Sequence, residues 1–267
     1  MNYDKSVNFL NSFINLEQKR NVSYKDKNYN LLISKQIVDL MGYNLNKIKI
    51  FHVAGTNGKG SVSSMFYTLL NNNNIKTGLY CSPHVLDITE RIQMAGSNIS
   101  KADFAIMLTA ISKVIPQLKS KPSYFEILTA MAICYFIKNN CKWAVLETGL
   151  GGRLDSNKAF KSTITAITSI SFDHTEKLGS TLEQIAFEKA GIIKDNTPLI
   201  LGKINDKALG VIIKKSKEKN SNVYILSKDF SITDIKSNID ETNFNFAPNN
   251  INVTIPKSGK YISDNAA

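Results

Sequence analysis

The sequence predicts an α/β fold: a P-loop-type, mostly parallel sheet flanked by helices, with a short antiparallel β addition near the C-terminus. The first observation is a glycine-rich loop, Val53-Ala54-Gly55-Thr56-Asn57-Gly58-Lys59-Gly60-Ser61. It joins an apolar run of β-formers at 48–53 to a segment in which Val62, Met65, Phe66, Leu69 and Leu70 fall at helical spacing. The second is the alternation of short apolar runs with helical patterns as far as residue 226, the pattern of strand–helix–strand units. The third is that successive apolar runs end in acids, Glu147 after 143–146 and Asp173 after 163–170. Ligands of doubly wound sheets sit at the carboxyl ends of strands, so these acids, Ser82, His174 and the glycine loop are expected to face one crevice.

Taken in order, 4–19 and 29–41 carry apolar residues at helical spacing around a polar break at 21–28, a helical lead-in covering 1–47. The core then runs over 48–226. After the loop and its helix, Asn71 to Asn74 end the helix and 77–80 forms a second strand that stops at Ser82-Pro83-His84. The alternation in Ile88-Thr89-Glu90-Arg91-Ile92-Gln93-Met94 predicts a strand or hairpin arm before Gly96. Helices follow over 101–118 and 125–139, then strands over 143–146 and 163–170. Ser180-Thr181-Leu182-Glu183 has the form of a capping box and opens a helix that carries Lys189 and closes at Gly191. On the residues alone, Lys189 reads as a cation complementing the helix dipole. A strand at 198–201, a lysine-rich helix at 206–219 and a strand at 222–226 complete the core. Short alternating stretches over 227–262 predict small antiparallel strands, and 264–267 resembles the start of a helix.

The chain has 267 residues and a formal net charge of +11, which suits any anionic partner. No recognition-helix, zinc or ribonucleoprotein pattern accompanies the dispersed lysines, so no nucleic-acid partner is expected. The three cysteines, Cys81, Cys134 and Cys141, have no metal-ligand spacing and fit a reducing, cytoplasmic setting. Neither a long apolar span nor a signal-peptide pattern is present, so no membrane partner is expected.

The loop reads as a phosphate cradle. A strand-to-helix junction offers free backbone N–H groups and the positive end of the helix dipole, and Lys59 adds a mobile charge. The spacing is a variant of the common P-loop, with Val53 where that pattern has glycine. Gly55, Thr56, Asn57, Gly58, Lys59, Gly60 and Ser61 are the candidate ATP-binding residues. Hard oxygen ligands at Ser82 and Glu147, with His174, suit Mg²⁺ held beside ATP phosphates. The residues themselves reach only as far as ATP-dependent group transfer.

Beyond the loop, Ser82-Pro83-His84, Glu90-Arg91-Ile92, Tyr124-Phe125-Glu126-Ile127-Leu128-Thr129, Glu147-Thr148-Gly149-Leu150-Gly151-Gly152-Arg153-Leu154-Asp155, Asp173-His174-Thr175 and Glu188-Lys189-Ala190-Gly191-Ile192 occur in an order and spacing similar to the folylpolyglutamate and dihydrofolate synthases. That is the folate branch of the Mur ligase family, and the likeness runs over about 30–195. The resemblance implies a Mur ligase central ATPase domain and an amide ligase that joins L-glutamate to a folate or dihydropteroate carboxylate through an acyl phosphate. It implies Lys59, His174 and Lys189 in the catalytic machinery, with Lys189 carbamylated. Ser82, Glu147 and His174 would hold Mg²⁺, Phe125, Leu154 and Asp155 would line the pterin pocket, and Asn265 would stand at the nucleotide. It further implies a monomer acting on small molecules. Family members read Leu-Asp-Ala-Thr-Asn where this chain has the shorter Leu154-Asp155-Ser156-Asn157. They also carry a C-terminal domain that closes over ATP, and this sequence is expected to represent an N-terminal ATP-binding domain without it. Other readings are a silent nucleotide- or folate-binding fragment and an unrelated basic P-loop nucleotidase or kinase.

Overall fold

The computed structural model describes residues 1–14, 32–247 and 249–267. Helices α1 (Tyr3–Asn11) and α2 (Ile33–Leu40) form the lead-in; the expected helical residues 15–19 and 29–31 and the polar break between them lie outside the described residues. The main sheet contains β1 (Lys49–Ala54), β2 (Thr77–Tyr80), β3 (Ile92–Met94), β4 (Ser97–Asn98), β5 (Trp143–Glu147), β6 (Ile164–Ile167), β7 (Leu199–Leu201) and β8 (Val223–Ile225). Their order is β4-β3-β2-β5-β1-β6-β7-β8, antiparallel only at the β2–β3 and β3–β4 pairings. β1 is central, with Val53 opposite Glu147 of β5 and Ala54 opposite Ile167 of β6. This parallel register brings the carboxyl ends of β1, β2, β5 and β6 to one edge, where the glycine loop, Ser82 and Glu147 emerge.

The strands are continuous apolar runs because helices cover both faces. α3 (Lys59–Asn72) packs Tyr67 against Phe51, Val53, Leu79 and Val145. On the opposite face, α5 (Tyr124–Lys138) is buried almost all round and packs with α2 and α4 (Lys101–Val114) against Ile50, Tyr80, Ala144 and Leu146. α7 (Leu182–Ala190) and α8 (Asp206–Glu218) share a second core with Ala54, Ile167, Leu199 and Leu201. A short helix, α6 (Thr175–Leu178), precedes α7. A separate antiparallel sheet contains β9 (Ser231–Ser237), β10 (Thr242–Ala247) and β11 (Ile251–Ile255). α9 (Lys260–Ala266) starts earlier than the expected 264 and packs on both α3 and this sheet.

Two local expectations are corrected. Ile88–Arg91 forms a 3₁₀ turn, and only Ile92–Met94 is extended. Asp87 accepts from the Thr89 amide at 2.9 Å and Glu90 accepts from the Asp87 amide at 2.8 Å, so capping chemistry overrides the alternating pattern. The capping box of α7 is Thr181 with Gln184, one residue beyond the predicted Ser180 and Glu183 pair. Both registers satisfy the sequence rule, and Gln184 also accepts from the Ser180 amide at 2.8 Å.

The loop after β5 is locked onto α7. Arg153 donates to both carboxylate oxygens of Glu188 at 2.9–3.2 Å, and the Arg153 amide donates to the Glu188 carbonyl at 2.7 Å. Gly191 makes this approach possible, since a Cβ there would lie 2.2 Å from Arg153 Cα, a backbone atom unable to rotate away. Gly191→Ala is expected to lower stability by about 3 kcal/mol through overpacking, read as a fall in the urea midpoint; an unchanged midpoint contradicts this packing.

Candidate functional site

The glycine loop is held from outside by the segment that follows β6. Thr56 N–H donates to the Ser169 carbonyl at 2.9 Å and Asn57 N–H to Ser169 Oγ at 3.0 Å. Thr168 Oγ1 donates back to the Asn57 carbonyl at 2.6 Å, and Thr56 Oγ1 to the Ser171 carbonyl at 3.1 Å. A Cβ on Gly55 would stand 1.9 Å from Thr168 Oγ1, and one on Gly58 would stand 2.4 Å from Asn265 Oδ1. Both glycines also have positive φ, +152° and +83°, so close approach and backbone conformation each require them. The contact at Gly58 places Asn265 against the loop although the two lie far apart in sequence.

These bonds narrow the expected cradle. The amides of Thr56 and Asn57 face Ser169, whereas the helical ladder of α3 begins with Val62 N–H to the Gly58 carbonyl at 2.9 Å. The amides of Lys59, Gly60 and Ser61 therefore precede the first intrahelical bond and open a 14-residue helix, the kind of turn that can receive an anion.

Lys59 folds back over the loop, its Nζ donating to the carbonyls of Gly55 at 3.1 Å and Thr56 at 3.0 Å. Lys189 reaches the same Gly55 carbonyl from α7 at 2.8 Å and is 3 % exposed. The reading of Lys189 as a cation complementing its helix dipole is thereby corrected: the side chain runs inward to the glycine loop. Burial first, then the nearby Lys59 charge, pulls its pKa down to about 7, with Asp173 opposing. Lys59, Lys189, Gly55, Thr148, Asp173 and His174 line one small cleft.

Glu147 ends β5 and is buried beside the first turn of α3, its oxygens 3.7 and 3.8 Å from where a Gly60 Cβ would sit. Its Oε2 accepts from the Ser82 amide at 3.3 Å. Burial raises the Glu147 pKa, while the Lys59 charge and that hydrogen bond pull it down. A buried carboxylate beside a serine, facing a phosphate turn, fits a hard cation that completes its shell with phosphate and water. Among the described residues no three His, Cys, Asp or Glu side chains cluster as a metal cage. His174 is half exposed at the start of α6, with φ +47° and Nε2 3.7 Å from Asp173 Oδ1. The structure thus joins Ser82 with Glu147 and places His174 with Lys59 and Lys189.

The residues expected around a pterin divide differently. Phe125 lies under the Arg91 guanidinium, 5.3 Å from the ring centre, and its Cε1 is 3.7 Å from a Cβ position on Gly149. Arg91 in turn donates from Nε to His84 Nδ1 at 2.8 Å. Asp155 clamps its own loop, Oδ2 accepting from the Gly149 amide at 2.9 Å and Oδ1 from the Asn157 amide at 2.9 Å. Leu154 is buried. Sequence reasoning missed the Ser169 and Ser171 partners, the Arg153–Glu188 clamp and the His52–Thr148 pair. Arg153 and Glu188 were visible only as motif members, and nothing in their local spacing pairs them.

Below pH 7, Lys189 is protonated in folded and unfolded chains, so burying the charge carries its full cost; above 10.5 it is neutral in both and the cost is absent. Stability contributed at this position therefore rises with pH between those limits, by on the order of 5 kcal/mol in all. Relative to the parent, Lys189→Met is expected to show its most favourable stability near pH 6 and to lose that advantage steadily toward pH 10 in urea unfolding. A difference that does not vary with pH contradicts the buried-amine description.

Residues 53–267 match the model of the Mur ligase middle domain. The chain is 38 % identical over 183 residues to a dihydrofolate synthase/folylpolyglutamate synthase of Bacillus subtilis, covering 67 % of this chain and 43 % of that protein. It is 32 % identical over 234 residues to a folylpolyglutamate synthase of Arabidopsis thaliana, covering 84 % of this chain and 40 % of that one. Among solved structures, an FPGS–AMPPCP–folate complex superposes with a TM-score of 0.87 at 27 % identity, over 99 % of this chain and 64 % of that one. A folylpolyglutamate synthase from Thermotoga maritima gives 0.83 at 30 % identity, over 98 % and 59 %. The chain thus spans less than half the length of these two curated relatives and under two thirds of these solved chains. The family match takes in the glycine loop, both acid-bearing strand ends and the helix that delivers Lys189, and on this ground the chain belongs to the Mur ligase middle-domain family.

Proposed function

We propose that this chain carries the ATP-binding and carboxylate-activating part of a ligase that joins L-glutamate to a folate or dihydropteroate. The observation that carries the reading is the convergence of Lys59 and Lys189 on the Gly55 carbonyl, beside the free amides that open α3. Two amines on one side of a phosphate-binding turn favour an incoming anion and the charge that develops as a phosphoryl group moves. An FPGS complex with AMPPCP and folate has the same fold, which supports assigning nucleotide and folate to this crevice.

In this reading the substrate carboxylate attacks the γ-phosphorus, the bond to the β,γ-bridging oxygen breaks and ADP leaves. The glutamate amine then attacks the acyl carbon, phosphate departs and the amine loses its proton. Lys59 and the amides of 59–61 hold the phosphates, while Asn265 borders the nucleotide end of the loop. Ser82 and Glu147 would hold Mg²⁺, with His174 adjoining, and the ion supplies charge neutralisation at the phosphates. The low pKa of Lys189 leaves part of its amine unprotonated near neutrality. That free amine can add to CO₂, forming an N–C bond and releasing one proton, to give a carbamate beside the same cleft. Phe125 under Arg91 offers a flat aromatic surface for a pterin, with Leu154 and Asp155 shaping the neighbouring loop. The free cysteines agree with a cytoplasmic enzyme.

Calorimetric titration with ATP at stepped Mg²⁺ concentrations tests the nucleotide assignment. Lys59→Ala is expected to weaken ATP binding while the protein still folds, and Glu147→Ala to require more Mg²⁺ for the same affinity. Equal ATP affinity in Lys59→Ala and parent, or an unchanged Mg²⁺ titration in Glu147→Ala, contradicts the respective role.

A further inference from the structure

His52 is fully buried in β1, where an imidazole must satisfy two ring nitrogens. Its Nε2 lies 3.0 Å from Thr148 Oγ1, while Nδ1 meets no hydrogen-bond partner among the described residues. Burial first, and then the Lys194 charge, holds the ring neutral, so it carries a single N–H. Which nitrogen bears that proton decides what Thr148 can do. On Nδ1 it would strand a donor in the core and oblige Thr148 to donate to Nε2. On Nε2 it donates to Thr148 Oγ1 and leaves only a lone pair unmatched. Orphaned donors are the rarer fault in folded proteins, which favours the second arrangement.

With its oxygen accepting from His52, the Thr148 hydroxyl keeps its own proton for another acceptor. Its backbone is fixed as well, the Thr148 amide donating to the Val53 carbonyl at 2.9 Å. Thr148 lines the cleft shared by Lys59 and Lys189. We propose that Thr148 is an anion-binding hydroxyl donor in this cleft and that His52 is the positioning residue that aims it. The ligand is an oxyanion seated between Lys59 and Lys189, either the terminal phosphate of a nucleotide or a carbamate carried by Lys189. The proposal rests on the reading of the cleft as a phosphate site.

Thr148→Val keeps the side-chain shape and removes the hydroxyl, and Thr148→Ser restores it. If phosphate is the ligand, the valine variant is expected to bind ATP about tenfold more weakly, the size of a hydrogen bond to a charged group, with ADP affected about twofold or less. If the carbamate is the ligand, the valine variant is expected to show a smaller ¹³C carbamate signal at fixed labelled bicarbonate. The serine variant should recover whichever is lost, and His52→Leu should move the same readout in the same direction. A valine variant that equals the parent in both measurements overturns the proposal. Should His52→Leu fail to fold, ¹⁵N NMR of the parent decides the tautomer: a proton on Nε2 is expected, and one on Nδ1 overturns the proposal. A parent that binds neither ATP nor CO₂ refutes the phosphate-site reading and the proposal with it, a result distinct from a binding parent matched by its valine variant.

Discussion

The Gly55 carbonyl oxygen accepts hydrogen bonds from two lysine side chains, Lys59 at 3.1 Å and Lys189 at 2.8 Å, and the chemistry of the crevice depends on that shared acceptor. Two ammonium groups this close repel each other, and burial withdraws the water that would screen them. One response is visible in Lys189, whose pKa falls to about 7 through burial first and the Lys59 charge second. The other is a demand for negative charge between them. A phosphate or a carbamate meets that demand, so a site costly to build becomes favourable when an anion enters.

Such an arrangement persists only if its surroundings are stiff. The glycine loop cannot drift because Ser169 and Ser171 take up the amides of Thr56 and Asn57 and the Thr56 hydroxyl. The loop after β5 cannot drift because Arg153 and Glu188 tie it to α7, with Gly191 allowing the backbones to touch. α7 in turn carries Lys189, so the clamp that fixes one wall of the cleft also sets the reach of its amine. Preorganised donors of this kind stabilise charge without reorganising during the reaction. In the proposed reading the same bonding leaves the phosphate to the first turn of α3, since the amides of Thr56 and Asn57 are already engaged.

Much of the fold was legible because it rests on local signals. The strand, glycine loop and amphipathic helix around Gly55 announce a phosphate turn, and the apolar runs ending near Glu147 and Asp173 mark a parallel sheet with one functional edge. Where the reading slipped, a competing local force decided the outcome. Asp87 and Glu90 drew Ile88–Arg91 into a 3₁₀ turn although its side chains alternate as in a strand. The site was less legible wherever it depends on contacts across the fold. Lys189 resembles a dipole-complementing helix-end lysine until α7 is docked and its amine found against Gly55, 134 residues away. Asn265 against Gly58 and His52 against Thr148 are likewise tertiary facts with no spacing rule to reveal them.

The central claim is that the opening turn of α3, with two lysines over one carbonyl, receives the phosphate. Residue-resolved amide hydrogen exchange with and without AMPPCP addresses it most directly. The account predicts that the analogue slows exchange at Lys59, Gly60 and Ser61, which precede the first intrahelical bond, and leaves Thr56 and Asn57, already bonded to Ser169, close to their rates in the free protein. Slowing confined to Thr56 and Asn57, with the amides of 59–61 unaffected, would contradict it.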